Sequence, residues 1–250
     1  MRLNTAGPVV VLSPHLDDAL FSLWSVVTGR EDVLVVNVCT GIPPPGPVPW
    51  WDRVTGATDS AELMRLRLAE DREALALAGR EPVGLGLLDA HYGGSSVTAS
   101  EVARRTAALV KEASSLYAPA GLGGHADHRA TREAAFRLVE GSGIPVRLYA
   151  DFPYAVRFGW PHWVSGETRE LYRTPDAEWE MWLADVPCGP ARLRPRVRRL
   201  SDAEVGERLS AMRLYQTQFA ATNGGPIGRL ESSYVLRFEV IWEVSVDGAA

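Results

Sequence analysis

The alternation of short apolar runs with segments of helical pattern is the feature of this sequence that most constrains its fold. Residues 8–12 and 33–38 are dominated by valine and leucine, which is typical of buried strands. Their alternation with helical segments predicts a parallel sheet with helices on both faces. We therefore expect the α/β class, a Rossmann-like, mostly parallel sheet, in a single domain of residues 1–250. Strands are predicted near 8–12, 33–39, 83–88, 115–119 and 145–150, and helices near 19–27, 59–78, 100–113 and 128–140.

The pattern changes after residue 151, where the sequence becomes irregular and rich in aromatic residues. A helix is predicted at 202–219 and a closing strand at 233–246. Before them, five arginines alternate with apolar or proline residues, which favours an exposed edge strand. A phosphate-binding patch, or a contact with an anionic substrate, is the alternative for this stretch. The arginines are Arg192, Arg194, Arg196, Arg198 and Arg199.

Two short segments carry the most chemically informative groups: Ser-Pro-His-Leu-Asp-Asp at 13–18 and Gly-His-Ala-Asp-His at 124–128. They hold three of the five histidines, each beside aspartates. Both follow a predicted strand and precede a predicted helix, where open α/β sheets bind ligands. Two imidazoles and a carboxylate can hold a metal, with a base and an electrophile beside it, as in zinc hydrolases. A helix N-cap is the alternative for Asp17 or Asp18.

These motifs resemble those of the LmbE/PIG-L family of zinc-dependent N-acetylglucosaminyl deacetylases and related amidases. That family has Pro-His-Pro-Asp-Asp-Glu after its first strand and His-Pro-Asp-His after a later one. Here residues 14–19 read Pro-His-Leu-Asp-Asp-Ala, and residues 125–128 read His-Ala-Asp-His. The family's Arg-x-x-Glu helix, its strand ending in Asp and its Tyr-x-Ser-Gln segment are similar to residues 67–70, 86–89 and 215–218.

The resemblance implies a role for each matching residue. His15, Asp18 and His128 would hold Zn²⁺, Asp17 would be the general base, and His125 would polarise the amide oxygen. Asp127 would orient His125, while Arg67 and Asp89 would contact the substrate. The function implied is hydrolysis of an amide, most simply N-deacetylation of an amino sugar, a glycoconjugate or a specialised metabolite.

Two positions depart from the family pattern. Leu16 replaces a proline, which we expect to change only the rigidity of the turn. Ala19 replaces a glutamate that is not one of the three ligands, so metal binding should survive. Because Ala19 and the glycine-rich stretch before His125 alter the surroundings of the site, a non-catalytic metal-binding or ligand-binding member of the same fold is an alternative. A deacylase of a non-sugar biosynthetic intermediate is another.

Other side chains are candidates for the substrate pocket. Trp50 and Trp51, in the proline-rich loop at 41–53, could stack on a substrate ring or simply cover the core. His91 follows a strand end where it could touch substrate. The aromatic segment 151–163 could form a pocket wall or a small separate core. The alternative for Arg67 is a salt bridge with Glu70 or Asp71 on its own helix. The alternative for Asp89 is a turn cap.

Composition narrows the classes of partner. The net charge of −5 gives no electrostatic support for nucleic-acid binding. The two cysteines do not make a disulfide framework, and no segment approaches the roughly 20 apolar residues that cross a bilayer. We expect a cytoplasmic protein that binds a small N-acylated substrate, with a homo-oligomer left open.

Overall fold

The computed structural model describes residues 7–29, 31–93, 97–167, 174–223 and 231–245. In this part of the chain seven strands form one sheet. The strands are β1 (Val9–Ser13), β2 (Val33–Asn37), β3 (Val83–Gly84), β4 (Ser115–Pro119), β5 (Val146–Tyr149), β6 (Leu193–Arg199) and β7 (Phe238–Val244). Their spatial order is β3-β2-β1-β4-β5-β7-β6.

The order of the strands determines where a ligand crevice opens. Strands β1 to β5 are parallel, and β7 runs antiparallel between β5 and β6. From the fully buried β1, the chain first builds outward through β2 and β3 and then returns to add β4 and β5 on the other side. Right-handed crossovers in opposite directions place helices on opposite faces. The structure thus confirms the mostly parallel Rossmann-like sheet, with a crevice expected between β1 and β4.

The helices occupy the segments between and after these strands. Helices predicted at 59–78, 100–113 and 128–140 are confirmed, with ends that differ by up to three residues. The helices are α1 (Asp18–Ser22), α2 (Trp24–Val27), α3 (Trp50–Val54), α4 (Ser60–Leu77), α5 (Ala99–Val110), α6 (Ala126–Val139), α7 (His162–Ser165), α8 (Pro175–Leu183), α9 (Asp202–Met212), α10 (Gln216–Asn223) and α11 (Ser233–Leu236). None of the described helices is long and apolar enough to cross a membrane.

Two predicted elements in the first half are shorter than expected. The single helix predicted at 19–27 is divided into α1 and α2 by Leu23, whose backbone is not helical. The strand predicted at 83–88 ends at Gly84. Gly86 has a φ of 70°, and its N–H donates to the Thr40 hydroxyl at 2.7 Å instead of a neighbouring strand.

Two predictions in the C-terminal part need correction. The helix predicted at 202–219 is interrupted between α9 and α10, where the hydroxyl of Tyr215 donates to Asp71 at 2.8 Å and lies 3.3 Å from the Leu16 carbonyl oxygen. The strand predicted from residue 233 begins only at Phe238, because residues 233–236 form α11. A short apolar run fits a helix as well as a strand, and periodicity alone does not separate them. Residue 246, the end of that predicted strand, lies outside the described residues.

The arginine-rich stretch is confirmed as an edge strand. It forms β6, in which only Leu193 is buried. Arg196 pairs with Glu243 at 3.2 Å and Arg198 with Glu204 at 2.7 Å. Charged side chains along an exposed edge discourage pairing with a further strand.

Candidate active site

The two motifs meet in one cavity at the carboxyl edge of the sheet. The first follows β1 and the second lies between β4 and α6, on the two sides of the point where the strand order reverses. The cavity has a volume of about 420 Å³. Its walls are formed by His15, Leu16, Asp17, Asp18, Cys39, Gly41, Trp51, Met64, Arg67, Asp89, His91, Tyr92, His125, Pro153, Tyr154 and Gln218.

A serine side chain braces the first turn. The hydroxyl of Ser13 accepts a hydrogen bond from the Ala19 N–H at 2.9 Å and donates to the His15 carbonyl at 2.6 Å. The His15 N–H in turn donates to the Asp18 carboxylate at 2.8 Å. Asp17 makes no capping hydrogen bond to α1, so its carboxylate is not used as an N-cap. Ala19 is fully buried in the core, and its backbone takes part in the brace.

Glycines shape the second turn. Gly123 and Gly124 have φ values of 80° and 76°, which side chains other than glycine rarely adopt. A Cβ on Gly123 would overlap the ring of Tyr154, and one on Gly124 would overlap Trp182. The turn therefore packs directly under aromatic rings. Its last residue, His125, is the N-cap of α6, and its Nδ1 accepts the Asp127 N–H at 3.3 Å.

Three side chains place their donor atoms in a near-equilateral triangle. Asp18 Oδ2 lies 3.2 Å from His15 Nδ1 and 3.2 Å from His128 Nε2, and the two nitrogens are also 3.2 Å apart. Zinc–ligand distances of about 2.0–2.1 Å in a tetrahedron place ligand atoms roughly 3.3–3.4 Å from one another. The two imidazoles and the carboxylate that the sequence analysis selected therefore fit a metal such as zinc in both chemistry and spacing. The donor atoms of His125 also lie within 4.8 Å of those of His15 and His128.

Asp151 supports this triangle from behind, although sequence analysis assigned it no role. Its fully buried carboxylate contacts His128 Nδ1 at 2.7 Å and accepts the Leu122 N–H at 2.9 Å. The contact sets the tautomer of His128, because Nδ1–H donates to the carboxylate and leaves the Nε2 lone pair for a metal. The available signal was positional, since Asp151 follows β5 just as the two motifs follow β1 and β4.

Two further carboxylates contact the outer nitrogen of His15. Asp89 Oδ2 and Asp127 Oδ2 lie 3.2 Å and 3.3 Å from His15 Nε2. Asp127 contacts His125 through its backbone N–H, while its carboxylate contacts His15. The side chain of a helix's second residue is free to reach elsewhere when its N–H bonds the N-cap. Asp89 also accepts the His91 N–H at 3.0 Å, so the turn-cap interpretation holds as well.

The base and electrophile candidates have shifted proton affinities. Burial and the neighbouring charge of Asp18 raise the pKa of Asp17 to about 6. Burial and the charge of His15 lower the pKa of His125 to about 4, which makes its imidazole neutral. Because Nδ1 of His125 accepts the Asp127 N–H, its proton resides on Nε2. The site thus presents a carboxylate of near-neutral pKa and a neutral N–H donor in one cavity.

The family-like segments near residues 70 and 215 join the C-terminal part to the site. Glu70 accepts hydrogen bonds from the N–H and hydroxyl of Thr217, at 3.0 and 2.6 Å. Asp71 accepts from Asn37 at 2.6 Å and from Tyr215, whose hydroxyl also approaches the carbonyl oxygen of Leu16, next to Asp17. The alternative in which Arg67 pairs with Glu70 or Asp71 is not found. Arg67 Nη1 lies 3.4 Å from the carboxylate of Asp52 instead.

Aromatic side chains form the outer walls. Trp51 lines the cavity, whereas Trp50 is 66% exposed and points away from the core. The loop at 41–53 is also more regular than expected, since α3 begins at Trp50. In the segment 151–163, Tyr154 lines the cavity, as one of the two alternatives proposed, whereas Trp160 is buried in the main core and not in a small separate one.

Comparison with known proteins identifies the class to which this site belongs. The family described as PIG-L, GlcNAc-PI de-N-acetylase, matches residues 10–139. No curated protein sequence matches the chain. The fold and the site define a metal-dependent hydrolase of the N-deacetylase class. The family match spans just over half of the 250 residues and includes both motifs, and the chain belongs to the PIG-L family.

Solved structures share the fold over nearly the whole chain. An A40926 pseudoaglycone deacetylase is 21% identical, with a TM-score of 0.72 over 99% of this chain and 100% of that chain. The zinc-inhibited form of a teicoplanin deacetylase is 22% identical, with a TM-score of 0.71 over 97% and 100%. A 4-carboxy-2-hydroxymuconate hydratase from Pseudomonas putida is 12% identical, with a TM-score of 0.54 over 98% of each chain. At these identities the likeness shows the fold alone.

Proposed function

We propose that this chain is a Zn²⁺-dependent N-deacetylase whose substrate is an N-acyl amino sugar carried on a specialised metabolite or another glycoconjugate. The observation that carries the proposal is the 3.2 Å triangle of His15, Asp18 and His128, with Asp17 and His125 on the same cavity. The similarity to deacetylases of teicoplanin and of A40926 pseudoaglycone supports a metabolite-linked substrate.

His15, Asp18 and His128 would hold the zinc. Zinc bound there supplies a Lewis acid that polarises a carbonyl and lowers the pKa of water to about 7. Asp17 accepts a proton from the attacking water and later donates it to the leaving amine. Its pKa of about 6 suits both steps, because the carboxylate is ionised at neutral pH and is still basic enough to take a proton.

His125 donates Nε2–H to the substrate carbonyl oxygen as that oxygen gains negative charge. A neutral imidazole is the required form, and burial together with the Asp127 N–H favours the neutral Nε2–H tautomer. A donor that is already oriented needs no rearrangement during the reaction. Asp127 thereby acts on His125 through its backbone and on His15 through its carboxylate.

Four cavity residues would bind the substrate: Trp51, Arg67, Asp89 and His91. Arg67 is 5% exposed, and its Nε and Nη2 have no hydrogen-bond partner among the described residues. These N–H groups are available for a hydroxyl or carboxylate oxygen of the substrate. Trp51 offers an apolar face for a sugar or aromatic ring.

A non-catalytic member of the fold is the second candidate, because Ala19 replaces the family glutamate. Ala19 is buried in the core and is not among the residues that line the cavity, which weakens this alternative. Another reaction on the same fold, as in the hydratase, is distinguished by its products.

The experiment is acetate release from a panel of N-acetyl amino sugars and N-acyl metabolites, with the zinc content of each sample measured. We expect Asp17→Asn to keep zinc and lose at least about 100-fold in kcat, the low end of general-base contributions. The wild-type kcat/KM should fall as the pH is lowered through the pKa of Asp17, because the protonated carboxyl cannot act as a base.

Asp32→Asn is the matched control, since Asp32 is exposed. Wild-type turnover in Asp17→Asn would refute the base assignment. A zinc-loaded wild type that releases no acyl group from any compound would favour the non-catalytic alternative.

A further inference from the structure

Asp52 is a buried carboxylate on a surface helix. It lies in α3, where Trp50 and Val54 are 66% and 49% exposed, yet Asp52 itself is 0% exposed. A buried carboxylate is costly unless other groups compensate its charge. Its Oδ1 lies 3.4 Å from Arg67 Nη1 and 3.4 Å from His91 Nε2. Neither oxygen of Asp52 makes a hydrogen bond of standard geometry among the described residues, and the hydroxyl of Tyr92 also interacts with this carboxylate.

The contacts continue from Asp52 to the donor triangle. His91 Nδ1 lies 2.6 Å from Asp89 Oδ1, so this nitrogen carries a proton and donates to the carboxylate. Asp89 Oδ2 in turn lies 3.2 Å from His15 Nε2. Carboxylates and imidazoles therefore alternate from Asp52 through His91 and Asp89 to His15, whose Nδ1 is one corner of the triangle.

This series joins separate parts of the chain. Asp52 comes from α3, His91 and Asp89 from the segment after β3, and His15 from the turn after β1. Both nitrogens of His91 face protein carboxylates, and its ring packs on Tyr92 with centroids 4.0 Å apart. The orientation of His91, and through it that of Asp89, therefore depends on α3 lying against the site.

We propose that Asp52 is a positioning residue that couples the proline-rich loop to the metal ligand His15 through His91 and Asp89. Trp51, the neighbour of Asp52, lines the cavity, so one short helix supplies both a substrate wall and the end of this series. The inference rests on the proposed function in taking His15 as a zinc ligand.

The test is a zinc-affinity measurement by competition with a chelator, which needs no substrate. Asp52→Asn keeps the size of the side chain and removes its charge. Loss of an outer partner of a metal ligand weakens binding by about 10-fold to 100-fold, and we expect about 10-fold because two residues separate Asp52 from His15. The control is Val54→Ala, on the exposed side of the same helix, which should bind zinc as the wild type does.

A double-mutant cycle separates positioning from a purely structural ion pair. If Asp52 acts through His91, the variant carrying both Asp52→Asn and His91→Gln binds zinc no more weakly than His91→Gln alone. Additive losses would overturn this route. If Asp52→Asn has a lower melting temperature but an unchanged zinc affinity, the contact between Asp52 and His91 stabilises the fold only and the proposal is wrong. A wild type that does not bind stoichiometric zinc would instead refute the ligand set itself.

Discussion

Asp127 illustrates how one residue orients two imidazoles with different atoms. Its N–H donates to His125 Nδ1, and its carboxylate contacts His15 Nε2. The family resemblance implies that Asp127 orients His125, and in the structure its backbone N–H rather than its carboxylate contacts that ring. The spacing of two residues along the chain suggests proximity to His125, whereas the direction of the side chain at the start of α6 carries the carboxylate across to the other motif.

Asp151 leads to a prediction about metal affinity. In Asp151→Asn, one amide group must replace two acceptor oxygens that serve His128 Nδ1 and the Leu122 N–H, so one contact is lost. We expect zinc to bind about 10-fold to 100-fold more weakly, as is usual when the outer partner of a metal-binding histidine is lost. Chelator competition measures the change. An unchanged affinity, with Asp32→Asn as the reference, would show that His128 needs no carboxylate behind it.

Among the elements, the strand-to-helix turns do the most to build the site. The first is braced by side-chain and backbone hydrogen bonds through Ser13, and the second depends on glycines that lie under Tyr154 and Trp182. These turns are short and begin at the ends of buried strands, which gives the ligands rigid supports. A site needs rigid support to hold its donor atoms within a few tenths of an ångström of their working positions.

Gly124→Ala tests the importance of the second turn. The left-handed backbone of Gly124 costs an alanine about 1 kcal/mol, and the overlap of its Cβ with Trp182 adds about 1–3 kcal/mol. We expect a loss of about 2–4 kcal/mol in the free energy of unfolding, measured with urea, together with lower turnover because His125 is the next residue.

Gly141→Ala provides the comparison. Gly141 has a φ of 69°, similar to that of Gly124, but a Cβ there has no atom within 4 Å. It should lose only about 1 kcal/mol, the backbone contribution alone. Equal losses in the two variants would mean that contact with Trp182 does not limit the turn.

At the scale of the whole molecule, metal binding and proton binding compete. Burial opposes a charge on His128, but the carboxylates of Asp18 and Asp151 outweigh it and raise the pKa of His128 to about 9. Without a metal, the site therefore keeps a proton on His128 at neutral pH, and a bound cation must displace it. Raising the pH removes this competition, so apparent affinity rises by up to about tenfold per pH unit for each proton displaced.

The expected result is that the increase in Tm caused by a fixed concentration of free zinc becomes larger from pH 6 to pH 8. A ligand that binds only the folded state stabilises it in proportion to the logarithm of its affinity, which differential scanning fluorimetry can follow. His128→Ala should lose most of the shift, while His162→Ala, outside both motifs, should keep it. A shift that shrinks as pH rises would contradict the protonation argument.

The sequence by itself determined the fold class and the core of the site. Strands alternating with helices imply a parallel sheet, and motifs directly after β1 and before α6 must reach its carboxyl edge, because strand direction fixes which end carries the turn. His15, Asp17, Asp18, His125 and His128 could therefore be selected without coordinates. The break before α10, by contrast, coincides with tertiary contacts of Tyr215 that local propensity does not contain.

Only the tertiary structure decided which groups surround the proposed metal ligands. Asp151 meets His128 because β5 pairs beside β4, and Asp52 meets His91 because α3 folds back onto the segment after β3. Neither aspartate lies in a motif, and each is separated from its partner by more than 20 residues in sequence. Such contacts depend on the order of the strands and the path of the loops, which no local sequence pattern encodes. The proposed ligands, by contrast, lie in short motifs at the ends of strands, so the local sequence is enough to locate them.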